Sequence, residues 1–190
     1  MRKVHRKEKK WVVNTAPGPH PSDDSLPLSV ALRENLGLAR NRREAEKVLG
    51  DGQVKVDGKI RRDPKYPIGL MDVIEVMGTE QTWRLLHDGK GYIRFFEVDQ
   101  DQIGFKLEKV VKKNQFKGDR IQLTFHDGKT VVGDYGHINV DDTVKVSLPD
   151  LEILEHVPCE EGNLALITGG TNVGKTGKIA EIIHIEGPSS

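Results

Sequence analysis

The sequence predicts an α+β protein of several small modules: a helix-helix-hairpin unit, an all-β central domain, and a closing β-hairpin or partial barrel. Three observations carry this. Apolar residues at helical spacing are confined to residues 28–49. From residue 78 onward, short alternating segments such as TWRLLHD, YIRFFEV, IQLTFHD and DTVKVSL are split by turn signals, with no long helical period. Aromatic residues make up only 5% of the 190 residues, so the cores must be built from Val, Ile and Leu. Modules of roughly 50 to 80 residues built that way are only modestly stable alone, and docking to a partner would help them. The expected divisions are a basic arm and linker over residues 1–26, the helix-helix-hairpin unit over 27–77, the β domain over 78–157 and the final hairpin domain over 158–190.

The arm comes first. Six of the first ten residues are basic (Arg2, Lys3, Arg6, Lys7, Lys9, Lys10), against the single acid Glu8. Such a run cannot bury itself and reads as an arm that orders on an anionic partner; the alternative is a solvated tail. Trp11, where arm meets body, suits stacking on a base or packing against the fold. The spacer APGPHPSDDS is turn-rich.

LPLSVALRENLG places Leu28, Ala31, Leu32 and Leu36 on one face of a short helix, with Pro27 near its start and Gly37 at its end. NRREAEKVLG offers Asn41 as N-cap, Glu44 three residues on as in a capping box, an apolar face of Ala45, Val48 and Leu49, and Gly50 as the stop. QVKVDGKIRRD then changes to a period of two around Asp57-Gly58, a dipeptide suited to a type I′ hairpin. Arg40, Arg42, Arg43 and Lys47 gather on the second helix, and Lys59, Arg61 and Arg62 lie on the hairpin beside it. Arg forks and Lys point charges so placed make a surface that tracks phosphates. The competing reading pairs Arg43 with Glu46 and Lys47 with Glu44 on a merely solvated face.

In the β domain HDGK occurs twice, at 87–90 and 126–129, and DGK once more at 57–59. Hairpin turns select Asp-Gly for backbone reasons, so turn chemistry is the expected role. His156 and Cys159 are spaced like half a metal site without a second half, and no metal site is expected.

GGTNVGKT, residues 169–176, satisfies the phosphate-loop pattern, which would put Lys175 on the phosphates and Thr176 on magnesium. That mechanism needs a strand before the loop, a helix after it and a parallel sheet around both. NLALIT before the loop is a fair strand. After it Gly177 falls where a helix would begin, and Ile179, Ile182, Ile183 and Ile185 favour extended structure. The upstream chain supplies no alternating strands and helices. A β-hairpin is therefore expected, with Gly170, Gly174 and Gly177 at positive φ in a tight loop, and no nucleotide site.

The formal net charge of zero hides a division: residues 1–77 hold 16 Lys/Arg against 11 Asp/Glu, and residues 78–190 hold 13 against 18. A single cysteine excludes an intramolecular disulfide and fits a reducing compartment. No stretch approaches 18 consecutive apolar residues, so neither secretion nor membrane insertion is expected, and the cytoplasm is.

The string ARNRREAEKVLGDGQVKVDGKIRRDPKYPIGLMDVIEV resembles the small RNA-binding module first recognised in ribosomal protein S-four and shared by RNA-modifying enzymes. NLALITGGTNVGKTGKIAEI resembles the KOW motif of ribosomal and transcription-elongation proteins, which implies that Lys175 and Lys178 face RNA. With KKWVV near the start, their order over nearly the whole chain is similar to the archaeal and eukaryotic small-subunit ribosomal protein family S-four-e. Members usually continue some dozens of residues past the KOW hairpin, so truncation and a final barrel short of strands are expected. The acidic balance beyond residue 78 departs from a typical ribosomal protein. The resemblance implies a non-catalytic constituent of the small subunit, bound to small-subunit ribosomal RNA and neighbouring ribosomal proteins, with no cofactor, metal, membrane or small-molecule substrate. An RNA-modifying enzyme, a pseudouridine synthase or methyltransferase, is the alternative. It lacks support from any GRLD-type loop or Gly-rich cofactor turn. A KOW-bearing transcription factor would need a polymerase-binding domain that the sequence does not display.

Overall fold

A computed structural model of the chain describes residues 13–79 and 81–183. Its architecture is mostly β with two short helices and a 3-10 turn at Gln100–Gln102. The strand β1 (Ser25–Pro27) leads straight into α1 (Leu28–Val30), which continues as a π-helical stretch, Ala31–Asn35. The wider winding shows in the bond from Leu36 N to Ala31 O at 3.0 Å. Ser29 and Val30 are buried as well as Leu28, Ala31 and Leu32, so the expected one-sided face is too narrow. The cause is residues 64–66, whose carbonyls at Pro64 and Tyr66 accept from Ser29 N and Leu28 N, each at 3.0 Å. These are donors that a helix start leaves without intrahelical partners.

The second helix, α2 (Arg42–Gly50), starts as its capping residues dictate: Asn41 Oδ1 accepts from Glu44 N at 3.0 Å. The Glu44 carboxylate reaches back to Arg40 N, at 2.8 Å, one residue before the usual capping-box donor. Gly50 does not stop the helix but ends it from within; the left-handed glycine is Gly52, φ +73°. Next come β2 (Val54–Val56) and β3 (Lys59–Ile60), joined by Asp57 and Gly58 at φ +51° and +73°, the paired positive values of a type I′ turn.

β4 (Pro67–Gly69) pairs antiparallel with β1. β5 (Val73–Val76), β6 (Thr82–His87) and β7 (Ile93–Glu97) complete an antiparallel sheet of order β3-β2-β5-β6-β7. This sheet runs across residues 77 and 78, because β5 pairs with β6. Leu26, Leu32, Leu49, Val54, Ile74 and Leu85 are among the buried side chains of its core. A second sheet has the order β10-β9-β8-β11-β12, from β8 (Phe105–Gln115), β9 (Ile121–Phe125), β10 (Thr130–Gly133), β11 (Thr143–Ser147) and β12 (Ile153–Val157). Its own core holds Val110, Leu123, Phe125, Ile138, Val144 and Val146. Each such side chain contributes about 1.5 to 3 kcal/mol by leaving water. The hairpin β13 (Leu164–Leu166) and β14 (Thr176–Lys178) follows.

A buried ion cluster ties β8 to the first sheet. Lys106 is fully buried, and its Nζ lies 2.6 Å from Asp72, 3.2 Å from Asp57, 3.2 Å from Asp127 and 3.2 Å from Glu108. Lys129 adds bonds to Asp57 at 2.8 Å and Asp127 at 2.7 Å. His20 Nε2 holds the second oxygen of Asp72 at 2.9 Å, and His126 Nδ1 lies 2.7 Å from Glu108. Burial alone would depress Lys106, but Asp72, Asp57, Glu108 and Asp127 override it and raise its pKa. Burial would raise Asp72, and Lys106 with His20 instead holds it far below the ordinary carboxylate range. Asp127 is depressed too, burial being outweighed by Lys106 and Lys129. Burial raises Glu108, and His126 goes up as well because the Glu108 carboxylate beside it outweighs its burial.

Candidate nucleic-acid interface

Between the two helices Arg33, Glu34, Arg40 and Arg42 line a groove of about 560 Å³, with Gly37, Ala39 and Asn41 on its walls, and Arg33 Nε is paired with the Glu34 carboxylate. The capping of α2 decides which of its charges are committed. Glu44 is spent on Arg40 N, and Glu46 accepts from Arg42 Nε at 2.7 Å. The two pairings that would have neutralised the outer face, Arg43 with Glu46 and Lys47 with Glu44, are not formed. Arg43 and Lys47 are exposed on α2 with no ion pair to a described residue. The Arg42–Glu46 pair is solvent-exposed, worth about 0.3 to 0.5 kcal/mol, and a phosphate can displace it.

The neighbouring hairpin is divided. Lys59 and Arg62 are exposed. The Arg62 guanidinium lies over Gly52, just past the C-terminus of α2; a Cβ added there would stand 2.9 Å from Nη2. Arg61 is half-buried with its guanidinium 4.5 Å from the centre of the Tyr66 ring, so it is engaged in a cation–π contact within the module.

After the loop, Thr176–Lys178 is strand and residues 179–183 are neither strand nor helix; β14 runs antiparallel to β13 with Leu166 opposite Thr176. Lys175 Nζ donates to Asn172 Oδ1 at 2.9 Å instead of reaching into a phosphate cradle. Gly170 and Gly174 adopt positive φ, +79° and +83°, as a tight loop requires; Gly177 does not, because it sits inside β14 opposite Ala165. The turn docks on the β6–β7 turn. A Cβ at Gly174 would stand 2.0 Å from the Asp88 carbonyl oxygen, and Val173 is buried where Gly91 offers no side chain. Lys178 is exposed.

The first HDGK string is turn chemistry: Asp88 Oδ1 accepts from Lys90 N and Tyr92 N, each at 2.9 Å. The second departs from that reading, since His126, Asp127 and Lys129 all enter the buried ion cluster. His156 and Cys159 are both tied to Asp142, by Nε2 and backbone N at 2.8 Å each. Arg2, Lys3, Arg6, Lys7, Lys9, Lys10 and Trp11 lie outside the described residues.

Residues 27–74 match the S4 domain, and residues 79–153 match the ribosomal family S4e. The small ribosomal subunit protein eS4 of Methanothermobacter thermautotrophicus is 44% identical over 179 residues, an overlap of 94% of this chain and 74% of that relative. The chain belongs to the ribosomal family S4e. Its counterpart in Staphylothermus marinus is 40% identical over 192 residues, covering 94% of this chain and 74% of that one. The crystal structure of the 30S ribosomal protein S4e from Thermoplasma acidophilum superposes with a TM-score of 0.77 at 39% identity, covering 87% of this chain and 85% of that chain. Among the described residues of this S4e chain, no helix is long and apolar enough to cross a membrane.

Sequence reasoning missed two sets of residues in this S4e member. Arg33 shares the groove of Arg40 and Arg42, yet it lies on the first helix, where no periodicity marks it as a partner of the second. The ion cluster escaped because its acids are far apart in sequence. The recurring DGK string was the available signal: two of its three copies supply Asp57, Asp127 and Lys129.

Proposed function

We propose that this chain is a non-catalytic structural constituent of the small ribosomal subunit in the cytoplasm. Its partners are small-subunit ribosomal RNA and adjoining ribosomal proteins. The observation that carries the reading is the set of uncommitted cations on the helix pair: Arg40, Arg43 and Lys47 are exposed on or beside α2, next to a groove lined also by Arg33 and Arg42, each held in an ion pair with a neighbouring glutamate. Lys59 and Arg62 extend the surface past the end of α2. A-form grooves deny side chains easy access to base edges, so the recognition is of phosphates and shape. The basic arm and Trp11 add affinity through counterion release and stacking, and Lys175 and Lys178 on the KOW hairpin provide a separate contact. No cofactor, metal, nucleotide or small-molecule substrate takes part. The relatives named above are ribosomal proteins, and nothing in them supports the RNA-modifying alternative. Sedimentation of the chain with small subunits through a high-salt gradient tests the reading: co-migration is expected, and recovery of all the protein at the top of the gradient would overturn it.

A further inference from the structure

The central part of the chain is acidic, but its charge is not spread evenly. Residues 109–120 hold five of the thirteen Lys/Arg found after residue 77 and one of the eighteen Asp/Glu. The fold places this segment at one projecting hairpin. Strand β8 pairs with β11 only through Lys109 and with β9 from Val110 to Gln115, so its last residues extend past β11. The reversal over residues 116–120 is closed by Phe116 N donating to Arg120 O at 2.8 Å, with Gly118 at φ +71° between them. Lys113 Nζ ties the hairpin back to Gly136 O at 2.7 Å.

The tip carries an unusual pairing of side chains for a solvated turn. Phe116 is 39% exposed, and the Arg120 guanidinium stands 5.6 Å from the centre of its ring. Lys112 and Lys117 are exposed beside it, with no ion pair to a described residue. Lys109 is the exception, being paired with Asp141 at 2.7 Å. An exposed aromatic ring braced by Arg and flanked by Lys combines a stacking platform with phosphate contacts, the pairing that suits an unpaired base and its backbone. An acidic protein surface would use the charges but not the ring.

The geometry points to the β8–β9 tip as a second RNA contact, with Phe116 and Arg120 stacking on an unpaired base and Lys112 and Lys117 holding the adjoining phosphates. It rests on the RNA-binding reading proposed above, and it assigns RNA to a face of the acidic domain.

The test uses the full chain and a fluorescein-labelled transcript of small-subunit ribosomal RNA, followed by anisotropy across a salt series. Phe116→Ala is expected to weaken binding about 5- to 150-fold with the salt slope unchanged, as loss of one stacked base predicts. Lys112→Glu with Lys117→Glu is expected to weaken binding and flatten the slope by about 1.4 to 1.8. Arg43→Glu with Lys47→Glu is run in parallel. If that pair loses affinity while both tip variants bind like the parent chain, the tip contact is wrong and the helix-pair reading stands. If the parent chain does not bind the transcript, both fall. If tip variants bind RNA normally but no longer co-sediment with subunits, the tip docks a protein and the inference is overturned. Ultraviolet cross-linking of the parent chain needs no folded variant: adducts at residues 112–120 support the contact, and adducts confined to other segments contradict it.

Discussion

Lys106 Nζ lies 2.6 Å from Oδ1 of Asp72, joining strand β8 of the second sheet to the residue that precedes β5 of the first. The pair sits in a cluster of four carboxylates, so the ammonium neutralises charge contributed from both sheets. Breaking a buried pair on one side leaves an uncompensated charge and costs about 3 to 5 kcal/mol. Lys106→Met is predicted to lose that much in urea unfolding, a large part of the roughly 5 to 15 kcal/mol that holds a domain folded. A loss under about 1 kcal/mol would show that the cluster is dispensable.

The same cluster predicts a pH profile. Asp72 and Asp127 have depressed pKa values, so their contribution is present above the unfolded value of about 3.9 and fades as pH falls through the folded values. His126 is raised, so its contribution is present below about 6.5 and is lost as pH rises through its folded value; Glu108, also raised, acts in the same sense. The thermal midpoint is predicted to peak in mildly acidic buffer and to decline above pH ~6.5, and His126→Gln is predicted to flatten that decline. A parent profile level from pH ~6 to 8.5 contradicts the assignment.

At the glycine-rich turn, Gly174 and Gly177 are predicted to differ sharply. Gly174→Ala puts a methyl into the Asp88 carbonyl at positive φ and is predicted to cost about 1 to 3 kcal/mol, speeding amide exchange through β13 and β14. Gly177→Ala meets nothing within 4 Å and is predicted to change stability by about 0.5 kcal/mol or less. Equal exchange rates in the two variants would refute the docking of this turn on the β6–β7 turn.

No nucleotide binding is predicted at residues 169–176, because the Lys175 ammonium is turned onto Asn172 and a strand follows. Calorimetry with ATP or GTP and magnesium is expected to show no heat of binding before or after Lys175→Ala. Micromolar binding abolished by that substitution would restore the phosphate-loop reading.

What was legible in the sequence was local. Asn41 and Glu44 announce the start of α2 because a cap is satisfied within four residues, and Asp57-Gly58 announces its turn because only a few residue types tolerate two positive φ values. The end of α2 is less legible, since either Gly50 or Gly52 can serve and only the backbone shows that Gly52 is the one at positive φ. The α1 face was misjudged because residues 64–66 cover its first turn from a distance in sequence. Arg61 reads like any other cation of its string until Tyr66 is placed beneath it. The ion cluster was hidden most deeply: Asp57 and Asp127 both sit at turns that favour Asp for its own sake, and only the fold brings Lys106 between them.

The most direct test of the account is the RNA affinity of the Arg43→Glu, Lys47→Glu double variant, measured beside its thermal midpoint. Both side chains are exposed and unpaired with any described residue, so stability is predicted to shift by about 0.5 kcal/mol or less. Affinity for a small-subunit ribosomal RNA transcript is predicted to fall, with a salt slope smaller by about 1.4 to 1.8. Unchanged affinity and slope, with or without a loss of stability, would contradict the claim that α2 is the RNA-binding face.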